Sequence, residues 1–111
     1  MKANLPVEVQ SRTVGDELAG EELSTWTKLR DEWAQVTPVN REEYYRANRV
    51  ESTITHKIRT HYFRGADSTM RLVAMDSGTW TPLRIWNVES VINVDEHNRW
   101  LDWLCIEVPV G

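Results

Sequence analysis

VESTITHKIRTHYF, from Val50 to Phe63, changes character at every step. Val50, Ser52, Ile54, His56, Ile58, Thr60 and Tyr62 fall on one side of an extended chain, because successive side chains of a pleated strand point to opposite faces. Glu51, Thr53, Thr55, Lys57, Arg59 and His61 fall on the other side and are all polar. A helix would scatter the aliphatic residues around its circumference. The alternation therefore predicts a strand of an antiparallel sheet, with one face on a core and the other in water.

The rest of the chain divides into similar pieces. Val7, Val9 and Ser11 alternate with Glu8, Gln10 and Arg12, which predicts an opening strand near 5–13. Residues 15–24, GDELAGEELS, are acidic and punctuated by glycine, as a loop is. Trp26, Leu29, Trp33 and Val36 are spaced three, four and three apart, which a helix would also satisfy. We expect an irregular start there, then a strand from about Glu32 to Thr37 that stops at Pro38. Periodicity is lost from Val39 to Arg49, a charged stretch with two adjacent tyrosines, read as a long loop or one short helix.

Beyond a connection at Arg64-Gly65-Ala66-Asp67, a strand is expected over 70–75. A three-residue hairpin turn, Asp76-Ser77-Gly78, with glycine left-handed, should follow. Trp80 to Val94 then returns as a strand with Trp86, Val88, Ile92 and Val94 on one face, and Asp95 to Asn98 makes a polar turn. The last strand runs from Arg99 to about Val108, before Pro109. Strands joined by turn-sized links form a meander. The expected fold class is all-β, a small antiparallel β-barrel with a long loop between the second and third strands, and residues 1–111 as one domain.

The final strand is unusual. Trp100, Leu104, Ile106 and Val108 share one face, broken by Asp102, while Leu101, Trp103 and Cys105 share the other. A barrel has one interior, so one apolar face needs another cover. Either a loop or the Trp26 region covers it within the monomer, or it is a subunit interface anchored by Trp103 with Trp86 or Trp100, since buried tryptophans are common interface anchors.

Composition limits the functions available. A chain of 111 residues can bury about 65% of its unfolded surface. Six tryptophans in that length are many, and each can bury about 150–250 Å². The first residues, MKANLPVEVQ, have no apolar signal core, and no run approaches a membrane span, so no membrane partner is expected. A lone Cys105 excludes an internal disulfide and suits a reducing compartment.

The formal net charge of −4 argues against a dedicated DNA-binding domain. The charge is uneven: residues 41–64 hold six basic and three acidic groups, while both flanking segments are net acidic. The middle segment is either simply solvated or faces an acidic partner.

Catalytic signatures are missing. The sequence has no glycine-rich phosphate loop, nucleophile elbow or Cys/His pair at metal spacing. His56 and His61 are five apart and point to opposite strand faces, and His97 sits in a turn. Cys105 in an apolar strand should have a raised pKa and little reactivity. The pairs Glu21-Glu22, Asp31-Glu32 and Glu42-Glu43 are expected in loops or at strand edges, without the burial a general acid needs. The reading is a non-enzyme with no cofactor and no metal.

Trp26, then Trp33-Ala34 leading to Pro38, then STITHKIRTHYF, together resemble the head–tail joining proteins of tailed bacteriophages, also called head-closure or stopper proteins. Thr53, Ile54, Ile58, Arg59 and Tyr62 echo that family's long strand. Met70-Arg71-Leu72, Leu83-Arg84-Ile85-Trp86 and Leu101 to Glu107 resemble its closing strands. The likeness spans residues 7–108. Asn40-Arg41 replaces the usual small-residue pair after Pro38, and Trp80-Thr81-Pro82 places a proline where the family more often has uninterrupted strand.

The resemblance implies a structural virion protein, assembled in the host cytoplasm into a homo-oligomeric ring in the phage neck. Its neighbours would be the portal or adaptor protein above and the tail terminator or another tail protein below. Genomic DNA would pass through the ring without sequence-specific binding, in a channel the ring can close. The implied channel-facing loop comprises Arg41, Glu42, Glu43, Tyr44, Tyr45 and Arg46. The alternatives are another neck or tail ring, such as a tail terminator, and a generic small-barrel nucleic-acid-binding module. The latter would need exposed aromatics on a basic strand face, where Tyr62, Phe63, Lys57 and Arg59 come nearest.

Overall fold

Ile58 and Thr60 are fully buried while Lys57 and His61 are exposed, so the alternation read in the sequence is realised as an inner and an outer face. The computed structural model describes residues 5–14, 24–39 and 54–110. Its strands are β1 (Leu5–Val14), β2 (Ser24–Pro38), β3 (His56–His61), β4 (Met70–Met75), β5 (Pro82–Asn93) and β6 (Trp100–Val108). A single 3-10 turn, Val94–Glu96, links β5 to β6. All pairings are antiparallel, and the strands close into a barrel in the order β1-β2-β3-β6-β5-β4. The all-β barrel expectation holds.

The inner face is packed solid. Val7 and Val9, Ala34, Ile58, Leu72 and Ala74, Trp86 and Val88, and Leu101, Trp103 and Cys105 form one cluster contributed by every strand. Phe63 joins it just past β3, its ring 5.8 Å from that of Trp103. Side chains of this size fill a small barrel and leave no passage along its axis.

Several local expectations are corrected. β2 is one continuous strand of 15 residues, with no irregular start before Glu32. Its pairing with β1 runs through Val14↔Ser24, and Leu29 is an extra residue between Val9↔Arg30 and Gln10↔Lys28. A bulge of this kind breaks strict alternation, which is why the tryptophan spacing mimicked a helix. β3 is shorter than the expected strand. Residues 50–53 lie outside the described residues, and the chain leaves the strand after His61 so that Phe63 turns inward.

The β4–β5 hairpin closes across Asp76 and Thr81, and its left-handed residue is Trp80 (φ 56°), not Gly78. The Asp76 carboxylate accepts the Gly78 N–H at 2.8 Å, and the Asp76 carbonyl accepts the Trp80 N–H at 2.8 Å. This turn is one residue longer than expected, so the left-handed position moves to the residue before Thr81. In β5 a second bulge skips Glu89 between Val88↔Cys105 and Ser90↔Leu104. A one-residue slip exchanges faces, so Val91 packs on the core while Ile92 is exposed. Pro82 stands as the first residue of β5, where a missing N–H is tolerated. The loops expected over 15–23 and 40–49 lie outside the described residues.

Candidate functional site

Charged side chains point inward at both ends of the filled barrel. At the end where β3 and β5 begin and β6 finishes, Arg84 donates two hydrogen bonds to Glu107, Nε to Oε2 at 3.0 Å and Nη2 to Oε1 at 2.8 Å. Its guanidinium lies 4.6 Å from the ring centre of Trp86, the fully buried tryptophan below. His56 completes the cluster, with Nε2 at 3.7 Å from Glu107 Oε1 and 3.3 Å from Arg84 Nη2. The Arg84 hydrogen bonds hold the Glu107 carboxyl below the usual carboxylate range. Burial lowers the His56 pKa, with Glu107 opposing the shift and Arg84 adding to it.

The other end repeats the pattern with different residues. Beyond β3, Arg30 lies 4.3 Å over the Phe63 ring and is held by Glu32 at 2.7 Å. Glu32 is buried, which corrects the expectation that nothing buries the Asp31-Glu32 pair; its opposite in β1 is the core residue Val7. Each mouth is thus covered by an arginine on an aromatic ring, oriented by a glutamate. These bonds orient the arginines over the rings and cover the core. Cys105 lies inside that core, and burial pushes its thiol up to about 12.

On the outside, Arg59 binds Asp102 through two bonds, 2.6 and 2.8 Å, and Arg71 donates to Gln10 at 2.7 Å while lying 4.4 Å over Trp26. Two residues required by the nucleic-acid-module alternative are therefore engaged. Arg59 is tied to a carboxylate, and Phe63 is buried beneath Arg30. Tyr62 packs partly against the core.

Of the three tryptophans assigned to an interface, Trp86 and Trp103 have no exposed surface and belong to the monomer core, which corrects that assignment. The pairings Trp103↔Ile58 and Trp86↔Leu72 set both side chains on the inner face. Trp100 is on the outer face, half-buried against His61 at 4.7 Å. The assigned channel residues Arg41, Glu42, Glu43, Tyr44, Tyr45 and Arg46 lie outside the described residues.

The tryptophans available for contact are others. Trp33 is 57% and Trp80 69% exposed, with Leu83 close in sequence to Trp80 and also exposed. Trp33, Trp80, Pro6 and Met75 line a largely apolar cavity of about 330 Å³ on the outside of the barrel, with Asp31, Glu32 and Ser77 as polar members. This surface is not legible in the sequence, which places Trp33 and Trp80 in strands without assigning a face to either. The proline at 82 was the available signal that Trp80 lies in a turn.

A search of curated proteins finds no significant match. Among solved structures, the solution structure of protein SF1141 from Shigella flexneri 2a superposes with a TM-score of 0.72 at 22% identity, over 98% of this chain and 97% of that one. A chain from the virion of the native gene transfer agent particle superposes with a TM-score of 0.62 at 18% identity, over 100% of this chain and 99% of that one. Both likenesses concern the fold. The profile of phage head completion proteins matches residues 2–108, which takes in every strand of the barrel and both sealed mouths, and the chain accordingly belongs to the phage head completion protein family.

Proposed function

We propose that this protein forms a homo-oligomeric ring in the phage neck, joins the portal or its adaptor to the tail, and closes the DNA channel. The role is structural and its place is the virion, which family membership supports. The observation that carries the reading is a barrel covered at both mouths that still exposes large apolar side chains on its otherwise polar outside. DNA cannot thread the core, so a channel has to be formed between copies, and copies need outward contacts such as Trp33, Trp80, Leu83 and Trp100. A net charge of −4 lets DNA slide past without the counterion release that drives binding.

In this reading, Arg41, Glu42, Glu43, Tyr44, Tyr45 and Arg46 face the channel, where arginines and glutamates of neighbouring copies pair and the tyrosines narrow the lumen. The test uses packaged heads made without this protein. Adding the purified chain should retain DNA and allow tails to attach, and native mass spectrometry of the released neck should show several copies. Heads that keep DNA and accept tails equally well without it would overturn the reading. A deletion of residues 40–47 should still join heads but let DNA leak. Retained DNA with failed tail attachment would assign the segment to docking instead.

A further inference from the structure

The Trp33–Trp80 groove lies at the barrel end where β1 begins and β4 and β6 finish, on the outside of β1. The turn that presents Trp80 is held by main-chain and Asp76 contacts that need no particular side chain at position 80, only a backbone N–H. Yet an exposed tryptophan occupies a left-handed position that glycine would fill without strain. Strain kept at an exposed aromatic, beside a second exposed aromatic, points to a contact outside the monomer.

A complementary segment leaves the same barrel end. β6 finishes at Val108, and Pro109 and Val110 continue it, both exposed. Val-Pro-Val is apolar, and proline holds itself and the preceding residue extended. Grooves lined by aromatic rings take such segments well, because a chain already extended has little entropy left to lose. In the strand order, β6 stands three places from β1 in either direction, so groove and segment face opposite ways. One copy cannot insert Val108–Val110 into its own groove: β1 lies three strand spacings of about 4.8 Å away around the wall, and two residues beyond Val108 span about 7 Å.

We propose that the Trp33–Trp80 groove receives the Val108-Pro109-Val110 segment of a second copy of this chain. Donor and acceptor sit on opposite sides of one barrel end, so the contact is heterologous and repeats in a single direction, as a closing ring requires. In that respect the inference rests on the ring reading above.

Two measurements test it. A synthetic peptide of residues 106–111 should change the tryptophan emission of the full chain, and Trp80→Ala should weaken its binding at least tenfold with unchanged circular dichroism. Peptide carrying Pro109→Asp should not bind. The second measurement is native mass spectrometry of two full-length variants, Trp80→Ala without an acceptor and Val110→Asp without a donor. Each alone should be monomeric, while their mixture should give a one-to-one dimer that grows no further. No peptide binding up to about 1 mM, or equal binding by Trp80→Ala, overturns the groove assignment. Rings that form equally from wild type and both variants overturn it too, while leaving the ring reading intact. A wild-type chain that binds peptide yet never adds to heads as a multimer overturns the ring reading instead.

Discussion

Trp103 donates its indole N–H to Thr60 Oγ1 across 2.9 Å in the centre of the core, tying β6 to β3 through two fully buried side chains 43 residues apart. Thr60→Val keeps the shape and removes the acceptor, leaving a buried donor unpaired. We expect a loss of about 1–3 kcal/mol, read as a lower urea midpoint with an unchanged slope. An unchanged midpoint would mean that the indole finds another partner.

The burial of Trp103 also fixes the outcome of a charge there. Trp103→Glu should unfold the monomer, because an unpaired carboxylate would replace the largest class of core side chain. Far-ultraviolet circular dichroism is the measurement. A folded variant would place Trp103 at a surface after all.

Acid should weaken the barrel through one mouth. Arg84 holds the Glu107 pKa down, so its contribution is present above the ordinary carboxylate pKa and is lost as pH falls through the folded value. Burial keeps His56 below its ordinary 6.5, against the pull of Glu107, so the folded state holds it neutral where the unfolded chain takes a proton. Stability therefore also falls as pH drops from 6.5 toward the lowered value. Urea midpoints should decline from about pH 7.5 to about pH 5, and His56→Gln should remove the upper part of the decline only. Equal midpoints across that range would contradict the assignment.

Trp80→Gly separates stability from contact. Relief of the left-handed backbone should stabilise the monomer by about 1 kcal/mol, partly offset by glycine's greater freedom when unfolded. The same change should reduce assembly onto heads. A less stable monomer would show that the Trp80 side chain contributes to the fold.

Much of the fold was legible in the chain. Alternation over 56–61 gave a correct strand because a half-buried sheet leaves a period of two wherever no extra residue intervenes, whereas 70–75 is a strand in which Leu72, Val73 and Ala74 are all buried. The same logic failed around Leu29 and Glu89, where bulges add one residue and exchange faces. It also could not say which apolar face of β6 turns inward. Leu101, Trp103 and Cys105 are chosen by their partners Thr60, Ile58 and His56 in β3, and those pairs are set only when the barrel closes.

The candidate surface divides along the same line. Local sequence determined the strands, their polarity and the family likeness, all of which depend on residues adjacent along the chain. Tertiary structure decided which tryptophans are core and which are contacts. Trp86 and Trp103 went inside, and Trp33 and Trp80, 47 positions apart in sequence, came to line one groove. It likewise brought Arg84, Glu107 and His56 together over Trp86. Barrel closure sets these distances because pairing each strand on both sides leaves every side chain a single face to occupy.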